Sequence, residues 1–309
     1  MFVGRVKEVW RYPLKSMAGE RVEAARVGAR GLWGDRGWAL RDEEAGEMRG
    51  AKISPKLMLC GARYRAEPGA EGAPPHADIT LPDGAETSTD AADVNERLSA
   101  LLGRRVTLWP LRPASDLAHY RRAMPAVRVI GFLSRSRNFR RLALGAMRLT
   151  GRDRELRADF GRELGEPLPD LSVLPAEIFE FTSPPGTYFD AFPVHLLTTA
   201  SLSALARRAP ETAWDVRRFR PNFLIETAEG VEGLIESGWG GRRLRVGGLR
   251  LKCEMPTPRC SMTIQAQAGL PKDPRVLRTI VKEAGQGLGL YANVESAGRV
   301  RVGDEVELL

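Results

Sequence analysis

The sequence predicts an α+β chain that is mostly β, with two β-rich parts separated by a basic helical insertion. Three observations carry this. Up to about residue 110 the chain is a series of short alternating runs, "VGRVKEVWRY", "RVEAARVG", "GWALRDEEAGE", "LMLCGARYRAE" and "ADITLPDG", each closed by a Gly-rich turn. The same pattern returns after residue 171 with "AEIFEF", "RRFRPNFLIE", "RRLRVGGLRLKCEM", "SMTIQAQ" and "LYANVESAGRVRVGDEVELL". Between them, eleven arginines fall in residues 121–157, interleaved with Phe132, Phe139, Leu142, Met147 and Leu149 at roughly helical spacing. The expected organisation is therefore a β-rich domain over 1–110, an Arg-rich helical insertion over 111–170 and a second β-rich domain over 171–309.

Within the first part, "DAADVNERLSALLG" reads as one helix, with Asp90 or Asp93 as its cap and Gly103 as its stop, followed by the strand "RRVTLWPL". In the last part, "SPPGTYFDAFPVHLL" is a stiff connection into a helix that begins near Thr199 or Ser201. The tail "GRVRVGDEVEL" has the form of the closing hairpin of a barrel. No fixed-period repeat is present, which excludes a solenoid or propeller.

The 309 residues carry a formal charge of +8, and the basic side is mostly arginine, since there are seven lysines. Such a balance suits a nucleic acid, an acidic partner protein or an anionic cofactor; a GC-rich genome would also produce it. No run approaches the roughly 18 apolar residues of a membrane span, and the first residues carry charges where a secretory signal needs an apolar run. The expectation is a cytoplasmic protein with no membrane partner. The three cysteines, Cys60, Cys253 and Cys260, give neither a disulfide framework nor paired zinc-site spacing. No Walker loop and no H-E-x-x-H motif occurs, and the three histidines lie far apart. His195 reads as a packed core histidine, and "GQGLGLY" as a tight turn rather than a dinucleotide loop.

Cys260 stands apart from the other two. It follows Arg259 in "MPTPRCSMTI", between prolines and a short strand-like run, and a neighbouring cation favours the thiolate form that binds metals and attacks electrophiles. Four further stretches place cationic or small polar groups at expected strand ends: "YPLKS" (Lys15, Ser16), "GDRGW" (Arg36), "LLTTASL" (Thr198, Thr199, Ser201) and "RFRPN" (Arg220, Asn222). Each has a plainer reading; Arg36 can pair with Asp35, and Thr198 or Ser201 can merely cap a helix. Together, guanidinium and ammonium donors with a helix N-terminus make a cradle for an anion such as phosphate.

These stretches, in this order and ending with "RCSMTI", resemble MOSC-domain proteins that carry the MOSC N-terminal barrel, the group that includes the amidoxime-reducing components and their soluble bacterial relatives. The resemblance covers about residues 1–110 and 171–309 and leaves the basic insertion unmatched. It implies two β-barrel-like domains with a molybdenum cofactor, a molybdopterin carrying the metal, between them. Cys260 would be the protein thiolate on molybdenum. Lys15, Ser16, Arg36, Arg220 and Asn222 would hold the pterin and its phosphate with Thr198 or Ser201 at the helix end, and Arg259 and Tyr291 would line the cofactor.

The activity so implied is reduction of N-hydroxylated compounds, with electrons from a separate donor of ferredoxin, flavoprotein or cytochrome type. In the amidoxime-reducing relatives the cysteine motif runs into a threonine pair and an acid, whereas here it reads "CSMTIQAQAGLPKD" with no acid before Asp273. The alternative is a sulfur carrier or transferase that holds a persulfide on Cys260, which needs an accessible low-pKa thiol but no pterin cradle. A nucleic-acid-binding role for the insertion lacks clustered aromatics for base stacking and is not expected.

Overall fold

The computed structural model describes residues 1–70, 72–123, 136, 138–139, 142 and 153–309. The strands of the N-terminal part are β1 (Phe2–Arg11), β2 (Glu20–Val22), β3 (Ala24–Gly28), β4 (Gly31–Leu32), β5 (Trp38–Asp42), β6 (Glu47–Arg49), β7 (Gly61–Tyr64), β8 (Ala77–Thr80), β9 (Glu86–Ser88) and β10 (Val106–Pro110). Those of the C-terminal part are β11 (Val194–Thr198), β12 (Phe223–Thr227), β13 (Arg243–Val246), β14 (Leu249–Pro258), β15 (Gly287–Ser296), β16 (Gly298–Arg301) and β17 (Glu305–Leu308). The mostly β class expected from the alternation is what the protein has.

Seven strands close into a barrel in the order β12, β11, β15, β14, β13, β17, β1, with β1 pairing back onto β12. All of these pairs are antiparallel except β11 with β12. A parallel pair needs a crossover, and the helix Thr199–Arg208 lies in that connection. The interior is filled by one face of every strand, with Val6, Leu196, Phe223, Leu251, Leu290 and Val306 among its buried residues. Strand β1 thus belongs to the core of strands made near the far end of the chain, and β3 does too, through antiparallel pairing with β16.

The rest of the N-terminal part builds a second core. Sheets β10–β5–β6 and β7–β8–β9, with the helix Val94–Leu102, enclose Leu14, Met17, Trp38, Met58, Ile79 and Leu98. That helix starts after Asp93 and ends on Gly103 in the left-handed conformation, φ 67°, as the sequence suggests.

Three local expectations are corrected. "AEIFEF" is a helical turn, Glu177–Glu180, because the adjacent Ile178 and Phe179 both pack on one apolar cluster, which strand alternation does not allow. "SMTIQAQ" opens as the 3-10 helix Ser261–Ile264, held by the Thr263 amide and hydroxyl donating to the Cys260 carbonyl at 3.1 and 2.9 Å. The tail is no hairpin: β17 closes the barrel between β1 and β13, while β16 leaves to pair with β3. Most of the Arg-rich stretch, residues 124–135 and 143–152 included, lies outside the described residues. Its last part forms the helix Asp153–Phe160. No helix among the described residues is long and apolar enough to cross a membrane.

Candidate cofactor site

Among the described residues, four that are not glycine have positive φ: Ser16 (74°), Arg36 (52°), Arg220 (53°) and Gln286 (73°). Such conformations cost about 1–3 kcal/mol each and persist only where the surroundings impose them. The first three are residues singled out by sequence. Ser16 and Arg36 belong to the turns that leave β1 and enter β5. The Lys15 amide donates to the Trp38 carbonyl at 2.8 Å, and the Arg36 amide donates to the Tyr12 carbonyl at 2.6 Å. The Ser16 hydroxyl accepts from the Ala51 amide at 2.9 Å. A Cβ on Gly50 would stand 2.6 Å from that oxygen, so glycine there lets the Ala51–Lys52 loop come in.

The cations converge on Tyr12. The guanidiniums of Arg36 and Arg220 lie 5.2 and 4.1 Å from its ring centroid, and its hydroxyl donates to the Pro221 carbonyl at 3.0 Å. Arg220 donates through Nη1 to the Met17 carbonyl, while its buried Nη2 has no partner among the described residues. Arg259 donates through Nη2 to the Phe219 carbonyl at 2.7 Å, and its buried Nε is likewise unpartnered. Burial, with Arg36 nearby, pulls Arg220 down to about 10; burial also lowers Arg259. His195 is held well below its usual value by burial and by Arg259, and its Nε2 too is unpartnered. His195 is indeed buried, on β11, and β15 passes so close that a Cβ on Gly289 would stand 2.3 Å from its Nε2.

Cys260 is half-buried and packs with Tyr291, Phe192 and Met255 on a cluster built around Phe160 and Leu174. The Tyr291 ring lies 5.1 Å from that of Phe192 and 5.8 Å, edge-on, from His195. The thiol loop is clamped from outside by the end of the helix Asp153–Phe160. The Ser261 hydroxyl donates to the Asp159 carbonyl at 2.9 Å, and the buried Arg162 donates to the Arg259 carbonyl at 3.0 Å.

The structure thus brings together Ser16, Arg36, Arg220, Arg259, Tyr291 and Cys260, with Lys15 beside them. Lys15 is already engaged: its ammonium donates to the Tyr188 carbonyl at 2.7 Å, Asp190 at 2.8 Å and the Ser183 hydroxyl at 3.1 Å. Asn222 knits strands together, its Oδ1 accepting from the His195 amide at 3.0 Å and its Nδ2 donating to the Trp10 carbonyl at 3.4 Å. Thr198 and Ser201 are committed elsewhere. Both hydroxyls donate to the buried Glu236, at 2.7 and 2.5 Å, while Thr198 caps the helix by accepting from the Ser201 amide at 3.2 Å.

Sequence reasoning missed Asp190, Lys52 and Arg162. The Asp190 carboxylate is 64% exposed although its partner Lys15 is 12% exposed; despite desolvation, Lys15, Lys52 and Arg36 hold it well below the usual carboxylate range. The one sequence signal was scarcity, since Lys52 is among only seven lysines.

Comparison with known families gives a match to the MOSC N-terminal beta barrel domain over residues 3–105 and to the MOSC domain over residues 184–307. The chain is a MOSC-domain protein with a MOSC N-terminal barrel. It is 26% identical over 321 residues to mitochondrial amidoxime reducing component 2 of Bos taurus, covering 98% of this chain and 83% of that one. It is 28% identical over 327 residues to the Rattus norvegicus protein of the same name, with the same coverage. Among solved structures, the YUAD protein from Bacillus subtilis aligns over 99% of this chain and 95% of its own, with 12% identity and a TM-score of 0.41.

The residues of this MOSC protein fit an anionic cofactor. Buried guanidinium N–H groups without partners are costly, and here Arg220 Nη2, over the Tyr12 ring, and Arg259 Nε, over the Phe219 ring, remain so among the described residues. An anion of phosphate type supplies the acceptors they lack. A half-buried thiol next to Arg259 is the soft donor that a metal at its edge would take.

Proposed function

We propose that the cleft around Tyr12 and Cys260 holds a molybdenum–pterin cofactor and that the protein reduces N-hydroxylated compounds with electrons from a separate donor protein. The observation that carries this is the pairing of unsatisfied buried guanidiniums with a half-buried thiol in one cleft. The likeness to amidoxime reducing components over nearly the whole chain supports it.

In this reading Arg220, Arg259 and Arg36 bind the anionic part of the cofactor, the Lys15–Ser16 turn lines it, and Cys260 ligates the metal. When bound, the molybdenum centre would supply the two-electron redox chemistry. The overall change converts an N–OH group to N–H and water and consumes two electrons and two protons. The protein's share is to bind, orient and exclude water. Phe192, Met255 and Tyr291 form an apolar wall at the thiol. Burial raises the Tyr291 phenol, with Asp190 adding to the rise, so its hydroxyl stays a hydrogen-bond donor. The donor is of ferredoxin, flavoprotein or cytochrome type, and the Arg-rich stretch is its proposed docking element.

The test is molybdenum and pterin content of protein from a host that makes the cofactor, together with reduction of an N-hydroxylated amidine. Metal-free protein with sulfane sulfur on Cys260 would instead establish the sulfur-transfer alternative.

A further inference from the structure

One further cation, apart from those around Tyr12, acts on Cys260. Lys52 is exposed, directly follows Ala51, whose amide is fixed on Ser16, and makes no ion pair among the described residues. Its ammonium stands 5.0 Å from the centroid of the Phe160 ring. Phe160 is buried in the cluster on which Cys260, Tyr291, Phe192 and Met255 pack. The ammonium is therefore at the rim of an apolar floor that includes the thiol.

Its charge is available for a ligand. Desolvation works to lower Lys52, but Cys260, Asp190 and Asp159 outweigh it and Lys52 is held above its usual value. The carboxylate of Asp190 is itself bonded to Lys15 at 2.8 Å. Arg259 and Lys52 both feel Cys260. The thiol therefore has a buried cation, Arg259, directly before it in the chain and an exposed one, Lys52, acting on it from the loop after Ala51.

We propose that Lys52 and the Phe160 ring form the substrate-selecting rim of the Cys260 cleft, which takes molecules with an apolar or aromatic body and a carboxylate. A cation already resting on an aromatic face is partly desolvated and attracts an anion more strongly than one in open water. An ammonium is a point charge rather than a fork, so it recognises the sign of the group and tolerates a range of angles. That the substrate is N-hydroxylated rests on the function proposed above; the preference for an anion rests on Lys52.

The experiment separates the two. In cofactor-free protein, Cys260 is alkylated with iodoacetate and with iodoacetamide, and the ratio of the two rates is read by mass spectrometry of the Cys260 peptide. The ratio cancels any change in thiolate fraction, because both reagents attack the same thiolate. Lys52→Met lowers the ratio about threefold or more. Lys56→Met, which removes the same charge from a lysine that donates instead to the Leu101 carbonyl, leaves it unchanged. With cofactor-loaded enzyme, Lys52→Met raises KM for an aromatic N-hydroxylated carboxylate while KM for its neutral amide changes little. A ratio that Lys52→Met does not move, or that Lys56→Met moves equally, overturns the rim. A ratio that falls as expected, with no reduction of any N-hydroxylated compound by loaded wild type, supports the rim and overturns the redox reading instead.

Discussion

Arg162 donates to the backbone carbonyl of Arg259 at 3.0 Å across 97 residues of sequence, which ties the turn after the helix Asp153–Phe160 to the residue before Cys260. The same guanidinium donates to the Phe160 carbonyl at 2.7 Å and to Gln286 Oε1 at 3.3 Å. Gln286 in turn accepts from the Arg259 amide through its own carbonyl at 2.9 Å. One side chain therefore holds three segments that meet at the thiol.

Replacing it with an apolar side chain of similar length tests that bracing. Arg162→Met removes three hydrogen bonds from a charged donor, each worth about 1.5–3 kcal/mol, although relaxation makes the sum smaller. The expected result is faster amide exchange in a peptide spanning residues 255–265, with a smaller effect in β1 and β12. Arg162→Lys restores little, because an ammonium cannot span the same fork. Uniform acceleration throughout the barrel would mean that Arg162 supports the fold generally and not the thiol loop.

Arg220→Ala separates binding from folding. Arg220 is buried, drawn down to about 10 and incompletely bonded, so in cofactor-free protein its removal relieves a desolvated charge. Cofactor retention should fall about ten- to a hundredfold, while the melting temperature of cofactor-free protein changes by less than about 4 °C. Pterin content at limiting supply and a thermal melt are the two measurements. Full retention would remove Arg220 from the cradle.

The three thiols differ by burial. Cys60 and Cys253 are 0% exposed, and burial pushes their thiols up to about 11 and about 12. In native protein, alkylation should therefore go to Cys260 first. Cys60→Ala and Cys253→Ala should cost stability and leave turnover intact. Cys260→Ser should fold, keep part of the pterin and lose N-hydroxy reduction by more than the 10–100-fold, roughly, seen when a group one shell from a metal is changed. Retained activity in Cys260→Ser would exclude metal ligation by this residue.

Glu236 gives a pH signature that needs no redox chemistry to read. Burial raises its carboxyl above the usual value, against the lowering effect of the Ser201 and Thr198 hydroxyls. Because the folded value exceeds the unfolded one, near about 4.3, its contribution is fully present below that pH and is lost as pH rises through the folded value. Glu236→Gln keeps an oxygen acceptor for both hydroxyls and cannot ionise. Its melting temperature should fall less than wild type between mildly acidic and neutral pH. Parallel curves for the two proteins would rule out a titrating Glu236.

Much of the fold was legible because alternation and turn residues are local. Asp93, Gly103 and the helix after Thr198 follow from capping rules that need only neighbouring residues. "AEIFEF" and "SMTIQAQ" were not legible: both alternate well enough for a strand, and what decides them is Ile178 and Phe179 sharing one cluster, and Thr263 folding back onto Cys260. At the candidate site, Cys260, Arg36 and Arg220 stand out by residue type and position, whereas Arg259 and Tyr291 enter as cofactor-lining residues only through the family resemblance. That Arg36 and Arg220 hold positive φ could not be read, since only glycine advertises that conformation. Thr198 and Ser201 have the pattern of an anion-binding helix start, and the carboxylate that claims them, Glu236, lies 35 residues beyond Ser201. Asp190, Lys52 and Arg162 reach the cleft only through tertiary packing.

The place of β1 in the barrel has a consequence for how the molecule is made. Asn222 and Trp10 are hydrogen-bonded at a separation of 212 residues, and β17 completes the other side of the same strand. During synthesis the first strand can pair with β2 at its end, but it leaves the ribosome well before either barrel neighbour, β12 or β17, exists. At the usual pace of about 5–20 residues per second the wait lasts at least about ten seconds. Closure of so distant a pair is also intrinsically slow. The second core needs no such delay, because β5 to β10 and their helix are contiguous. The order of events is therefore set by topology: the second core can condense first, while β1 waits for β12 and β17.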